Sequence, residues 1–543
     1  MNKITGGQAV TEALLRHGIT TVYGLPGVQS DHLFSAFHDA GDRLRVVHTR
    51  HEQGAAYMAL GAALATGRPA AYSVVPGPGF LNSAAALCTA FATNARVLAL
   101  VGQIPSHGIG KGYGLLHEIA GQSAMLSQLT KWSALARTPQ DAANLVSEAC
   151  QALTSGRPQP VGVELPPDML GATADVVLTV PPVPEPPTGP DDKLLEQAAG
   201  LLMRAERPLI AIGSGAQDAA VPLLHLAENL GAPVFANRMG RGILDDRHDL
   251  CHVAAGGHAL WKDADVVLAI GTRLQVASQI WGSDPSLKII RIEIDPSEIE
   301  RFGKPEIAIA GDACRAVSRL LDIVKPHPKA ARRRDASRTL KQNIREAFAA
   351  VEPQLSYLRA IRDVLPDDGV LVDELTQVGY AARFGYEVRR PRTLLTPGYQ
   401  GTLGWGVATA LGAKHALGAT PVVSISGDGG FMFGAQELAT AVRHRIPVVF
   451  TVFNDNAYGN VRRIQREAYG NRLIASDLAN PDFVKFAESF GLSAVRVDGP
   501  AAFRTALERG IASNEPCLIE VPFTEMPSPW RFINMPRVRG PAT

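Results

Sequence analysis

Cysteine is scarce: five occur among 543 residues, and Cys88, Cys150, Cys251, Cys314 and Cys517 stand far apart without CxxC spacing. That excludes a disulfide framework and a zinc site of the usual spacing, and it fits a reducing cytoplasm. No apolar run reaches the roughly 18 residues of a membrane helix, and Met1 to Gln8 lacks the apolar stretch of a signal peptide. A soluble, unexported chain with no membrane partner is expected. An excess of one charge is also missing, since 53 basic and 52 acidic side chains leave a formal charge of +1 and no basic stripe. Nucleic acid is therefore a poor partner. What is present is an ordinary globular composition, 46% hydrophobic and 19% charged, over a length that calls for several domains.

Short apolar runs alternate with longer segments of helical period, the rhythm of stacked βαβ units, so an α/β class with mainly parallel sheets flanked by helices is expected. Two breaks divide the chain. Residues 180–190 hold six prolines, which lack amide donors and read as an extended linker. Residues 325–334 hold two prolines and a basic cluster before helical period resumes at Leu340. The expected domains are residues 1–178, 191–325 and 340–525, followed by a tail at 526–543. Strands are expected at 21–23, 46–48, 71–75 and 97–101, at 208–212, 266–270 and 289–294, and at 370–372, 422–426 and 448–453. The first and third segments have the outline of one architecture used twice. Open α/β sheets bind ligands in the loops beyond such strand ends.

One such loop is Gly427, Asp428, Gly429, Gly430; the next strand ends in Asn454, Asp455, Asn456, Ala457, Tyr458, Gly459. Asp428 and Asp455 are 27 residues apart (455 − 428), and a helix at 435–443 joins the two strands as a right-handed crossover that sets the loops side by side. Paired carboxylates with nearby carbonyls suit a hard cation such as Mg²⁺, which commonly completes its shell with phosphate oxygens. The glycines let backbone amides approach those phosphates, and the helix that follows adds its positive end.

This pattern resembles the thiamine-diphosphate motif of acetolactate synthases, benzoylformate decarboxylases and pyruvate oxidases, in which a Gly-Asp-Gly turn is followed one strand later by an Asn-rich turn. The resemblance implies thiamine diphosphate and Mg²⁺ as cofactors. Asp428 and Asp455 would supply side-chain ligands and Ala457 a carbonyl, with Gly427, Gly429, Gly430, Tyr458, Gly459 and Asn460 around the diphosphate. Most relatives carry Asn where Asp455 stands, so this chain adds a negative charge there.

Activating thiamine requires loss of a proton from its thiazolium ring, which the cofactor's own aminopyrimidine removes when a carboxylic acid stabilises its imino tautomer. His51, Glu52, Gln53, Gly54, Ala55, Ala56 resembles the region of the family where a Glu does this, which makes Glu52 the expected catalytic acid. Gly401, Thr402, Leu403, Gly404 is similar to the segment beneath the thiazolium, where Leu403 would wedge the rings into a bent conformation. Glu374, Thr376 and Gln377 fall where relatives touch the diphosphate.

On the substrate side, Val28 follows the turn at 24–27 and Gly77 lies in a Pro-Gly-Pro-Gly turn, both similar to loops that approach substrate in the family. Leu116, His117, Glu118 takes the place of the acetolactate synthase Phe-Gln-Glu, which makes His117 and Glu118 rim candidates and supplies an imidazole, the side chain suited to proton transfer near neutral pH. Val461 and Ile464 correspond to pocket-shaping positions, with Ile464 where acetolactate synthases carry Trp. Trp530, in a Pro-rich tail, is expected in a flap over the site or in subunit packing.

Gly213, Ser214, Gly215 has two glycines of a dinucleotide loop, but Asp218 stands where the third belongs, so a nicotinamide-dependent dehydrogenase is the weaker reading. Arg273, Leu274, Gln275, Val276, Ala277 replaces the family's flavin-binding Arg-Phe-Asp-Asp-Arg, which argues against FAD. A silent cofactor-binding protein would have no use for Glu52. The resemblance implies a homodimer or homotetramer in which Glu52 of one subunit serves the diphosphate of another. The expected substrate is a 2-oxo acid, decarboxylated and then protonated to an aldehyde or joined to a second carbonyl compound; cleavage of a 1,2-dione is the alternative.

Overall fold

The computed structural model describes residues 2–178 and 189–540. Most of the proline-rich linker expected at 180–190 lies outside the described residues. Three six-stranded sheets, each parallel throughout, carry the fold. The first runs Arg45–His48, Thr21–Gly24, Ala70–Val74, Val97–Gly102, Val161–Leu165, Trp132–Leu135 across the sheet. The third runs Leu394–Leu395, Val370–Asp373, Val422–Gly427, Val448–Asn454, Cys517–Pro522, Ser493–Arg496. Both have the order 2-1-3-4-6-5 when their strands are numbered along the chain, so one architecture is used twice. The middle sheet has the doubly wound order 3-2-1-4-5-6, from Cys251–His252 at one edge to Ile307–Ala310 at the other. The central strands are buried on both faces, which is why they read as mainly apolar runs, broken only by small buried hydroxyl residues such as Ser73, Ser424 and Thr451.

The first and third sheets share one apolar core. Its centre is the contact between the Glu52–Thr66 helix and the Gly406–Leu417 helix, both apolar around most of their circumference. Glycine permits the approach: a Cβ on Gly61 would lie 2.0 Å from the Thr409 carbonyl oxygen, and one on Gly412 would lie 1.9 Å from that of Met58.

The second break is shorter than expected. A helix spans Ala330–Phe348 and so begins inside the basic cluster instead of resuming at Leu340. Pro326 and Pro328 precede that helix and do not interrupt it, while Arg333 donates to the Leu230 and Ala205 carbonyls and Arg334 to Asp249. The basic residues thus tie the helix to the middle domain. Among the described residues no helix is long and apolar enough to cross a membrane.

Candidate active site

In the third sheet the strand order reverses between Val370–Asp373 and Val422–Gly427, and ligands of open α/β sheets bind beyond the carboxyl ends at such a point. Asp428 opens the turn after Gly427 and is 1% exposed. Its Oδ2 accepts from the Ala457 amide at 3.2 Å and from the Asn480 side chain at 2.6 Å, which brings the two expected loops together. Asn456 takes a left-handed φ of 53°, and the Asn454 side chain accepts from its amide at 3.1 Å. Ala457 pairs with Asp477 in an isolated bridge whose hydrogen bonds use Asn456 and Tyr458, and no described backbone amide donates to the Ala457 carbonyl. A side chain on Gly429 would strike the Tyr458 ring at 2.6 Å.

The electrostatics of this corner favour a cation. Burial pushes the Asp455 carboxyl up to about 6, and the Asp428 charge adds to the shift, while Arg462 at 3.6 Å opposes it. Burial also raises Asp428. Two carboxylates that disfavour each other's charge, beside an unused carbonyl, form a hard oxygen donor set that fits Mg²⁺. Among the described residues no group of three or more His, Cys, Asp or Glu side chains forms a metal site, so any metal here depends on the carbonyl and on ligand oxygens. Gln377 Oε1 and Ser476 Oγ are buried without a described partner, as groups awaiting a polar ligand would be. Thr376 caps the Gln377–Gly385 helix by position and is buried.

Leu403 is half-buried and lies 3.6 Å from where a Gly430 Cβ would stand, so the segment passes directly over the Gly-Asp-Gly-Gly turn. Gly401 and Gly404 flank it with φ of 55° and 80°. The Glu374 carboxylate was expected on the diphosphate and instead lies wholly buried beneath this segment. It accepts from the Gly404 and Gly406 amides at 2.7 and 3.1 Å and from Ser426 at 2.9 Å. Burial pushes it up to about 7 against those donors. Its position makes it a support for Leu403.

The other half is built on the first sheet. Glu52 is the first residue of its helix, with His51 as N-cap. Its Oε2 accepts from Asn82 at 3.0 Å, and the turn before it is held by Glu437, whose oxygens accept from the Arg50 amide at 3.3 and 3.1 Å. Gly77 and His117 come together, and Gln29, the residue after Val28, joins them. A Cβ on Gly77 would lie 2.3 Å from the His117 carbonyl oxygen, and His117 Nδ1 is 2.8 Å from Gln29 Oε1. Gln29 donates through Nε2 to the Leu116 carbonyl at 2.9 Å, so its oxygen accepts and Nδ1 of His117 carries a hydrogen, which leaves Nε2 as the nitrogen that can gain or lose a proton. Glu118 is committed to its own loop, accepting from the Gly112 and Leu115 amides at 3.1 and 2.9 Å.

Val461 and Ile464 are exposed on the Gly459–Ala468 helix, while Asn460 accepts from the Arg463 guanidinium. Trp530 does not stand free as a flap. It packs on Tyr380 at 4.7 Å between ring centroids and beneath Arg463 at 5.0 Å, and the tail continues to the middle domain, where Val538 donates to the Trp281 carbonyl at 2.9 Å. In the middle domain, side chains on Gly213 and Gly215 would collide with the backbone of Gly271, so that glycine pair serves packing, and Asp218 pairs with Arg392 at 2.8 Å. Asn480, Glu437, Gln29 and Asn82 carry no motif and become visible only through these contacts.

The chain thus carries two polar clusters at sheet ends, one with Asp428, Asp455 and the Ala457 carbonyl beside a glycine-rich turn and one presenting the Glu52 carboxyl group at a helix start. Within the chain no described hydrogen bond or ion pair joins Glu52 to Asp428, Asp455 or Leu403. Comparison with known proteins identifies the cofactor. Residues 4–125 match the N-terminal TPP binding domain of thiamine pyrophosphate enzymes, residues 195–320 their central domain and residues 376–521 their C-terminal TPP binding domain. The chain belongs to the thiamine pyrophosphate enzyme family. It is 33% identical over 539 residues to a probable 2-ketoarginine decarboxylase of Pseudomonas aeruginosa, covering 95% of this chain and 94% of that protein. It is 32% identical over 548 residues to a probable acetolactate synthase large subunit of Methanocaldococcus jannaschii, covering 95% and 91%. The mitochondrial acetolactate synthase catalytic subunit of Saccharomyces cerevisiae is 29% identical over 563 residues, covering 95% and 80%.

Proposed function

We propose that this chain is a Mg²⁺-dependent 2-oxo acid decarboxylase that works as a homo-oligomer, releasing CO₂ and an aldehyde. The observation that carries the choice of decarboxylation is His117, whose tautomer is fixed by Gln29 so that Nε2 can hold and deliver a proton at the rim. Asp428, Asp455 and the Ala457 carbonyl hold the metal. Bound thiamine diphosphate supplies a thiazolium ring that takes up the electron pair released when the carbon–carbon bond beside the carbonyl breaks. Leu403, supported by Glu374, would lie against the bound cofactor, and Glu52 would exchange a proton with its pyrimidine ring. Val28, Gly77, Val461 and Ile464 bound the substrate.

A second copy completes the site by bringing Glu52 and His117 to the diphosphate half. Apolar side chains left exposed on both halves support this, among them Val28 and Leu116 on one and Met432, Phe433, Val461 and Ile464 on the other. The test is turnover of a panel of 2-oxo acids, 2-ketoarginine included, with thiamine diphosphate and Mg²⁺, with and without acceptor aldehydes. Aldehyde and CO₂ without acceptor are expected. Product only with acceptor would replace decarboxylation by carboligation, and no turnover of any donor would overturn both. Glu52→Gln is expected to keep cofactor binding and lose turnover. His117→Gln is expected to keep a first-turnover burst of CO₂ while aldehyde release falls about 100-fold.

A further inference from the structure

A cavity of about 380 Å³ lies where the middle domain meets the Ala330–Phe348 and Gln354–Val364 helices, and none of the residues of either half-site lines it. Its wall carries Arg241, Lys341, Arg345, Arg359, Arg362 and Arg389 against three carboxylates, Asp246, Asp363 and Glu387. Those carboxylates are already engaged: Asp246 with Arg241 at 2.5 Å, Asp363 with Arg504 at 3.0 Å, and Glu387 with Arg389 at 2.9 Å.

Arg362 is the decisive group. It is 5% exposed, yet its hydrogen bonds go to neutral oxygens, the Tyr386 hydroxyl and the Leu365, Pro366 and Glu387 carbonyls. Among the described residues no carboxylate lies within ion-pair distance of it, and its Nε is buried without a partner. Lys341 likewise donates only to the Asp246 and His248 carbonyls, and the Arg241 Nε is also unpartnered. Burying a cation without a counter-charge is costly, and an anion entering from solution would recover part of that cost. A neighbouring hollow shares Lys341 and Arg345 and adds Arg247 and Arg338, both about half exposed, together with Asp249 and Glu346, so these two cations of the cavity also border a hollow of mixed charge. An apolar part of the wall is formed by Phe348, Leu355, Leu358 and Phe384, and Cys251, His252 and Tyr386 also line the cavity.

We infer that this cavity binds a small organic anion, with a phosphate or carboxylate head against Lys341, Arg345 and Arg362 and an apolar body against Phe348 and Phe384. The cofactor-loaded oligomer would be titrated calorimetrically with phenyl phosphate, phenylacetate and inorganic phosphate. One of the two aromatic anions is expected to bind once per chain and about ten-fold more tightly than inorganic phosphate, and which one binds identifies the head group. Arg345 and Arg359 are about half exposed, so the double variant Arg345→Gln, Arg359→Gln should fold and should weaken that binding about ten-fold or more. Arg362→Gln, if it folds, should weaken it further. Neither aromatic anion binding in this way, or binding that the double variant leaves unchanged, overturns the assignment. The measurement reads binding alone, so its outcome is independent of the proposed reaction.

Discussion

The Glu437 carboxylate accepts from the backbone amide of Arg50, so a residue of the third sheet's connection holds the turn from which Glu52 begins its helix. Glu437 is wholly buried, is itself steadied by Thr440, and is pushed up by its burial against these donors. Gly54 leaves room for it, since a Cβ there would lie 2.4 Å from Glu437 Oε1. The carboxylate touches no reacting group and acts by positioning. Misplacement on the ångström scale costs about 100-fold in rate, so Glu437→Ala is expected to lower kcat by roughly that factor. Glu437→Gln, which keeps one acceptor, should lose about ten-fold. Steady-state kinetics with unchanged cofactor affinity would separate this from loss of folding.

Asp455 invites the opposite kind of change. Its folded-state carboxyl titrates at about 6, above the ordinary carboxylate value, so ionisation works against the cofactor-free fold. The penalty is absent at low pH and builds as pH rises through that range. Asp455→Asn should therefore stabilise the cofactor-free protein at pH 8 by roughly 1–2 kcal/mol, with no gain below about pH 4. Mg²⁺ affinity should fall, because one ligand charge is lost. Thermal melts at the two pH values, with a Mg²⁺ titration, check both parts.

These two residues show what the sequence could and could not carry. The Gly427 turn, the Asp455 turn and the helix start at Glu52 were legible because strand ends and glycine spacing are local properties, and the central strands were legible because burial on both faces leaves mainly apolar runs. Glu437 and Asn480 were not, because each acts through a contact that only the tertiary fold creates: Asn480 reaches Asp428 across 52 residues and Glu437 reaches Arg50 across 387. Glu374 lies at the expected strand end, but whether its side chain turns toward a ligand or under the Leu403 segment is decided by the amides of Gly404 and Gly406. The tail follows the same logic, since the partners of Trp530 are Tyr380 and Arg463.

Acid should loosen the junction of the two cofactor-binding domains. His415 Nδ1 is 3.2 Å from the Tyr23 hydroxyl, and His444 bonds the His48 carbonyl at 3.2 Å, both across that junction. Burial holds each imidazole down to about 4, with Arg45 and His444 adding to the shift for His415 and His48 for His444. The unfolded chain binds protons at these positions from about pH 6.5 downward, whereas the folded chain does not until about 4. Stability should therefore decline between those values as pH falls, and His415→Gln should remove part of the decline, on the order of 1–2 kcal/mol after allowing for solvent screening. Denaturation midpoints across that range, compared between the two proteins, provide the measurement.

The helix contact that joins the same two domains makes the sharpest structural prediction. Gly61 faces the Thr409 carbonyl so closely that a methyl group can enter only if the Glu52–Thr66 and Gly406–Leu417 helices separate. Separation would open a core that runs through both sheets, so relief on one side creates a void on the other. Gly61→Ala should cost roughly 2–4 kcal/mol even though alanine is the better helix former. Because Glu52 lies on the same helix and Leu403 just before the other, the folded fraction of this variant should also lose activity beyond its loss of stability. Gly18→Ala is a useful contrast: a Cβ there meets nothing within 4 Å, and its cost comes only from a positive φ of 73°. A Gly61→Ala melt no lower than that of Gly18→Ala would mean that the two helices are not held so close that a Cβ on Gly61 meets the Thr409 carbonyl.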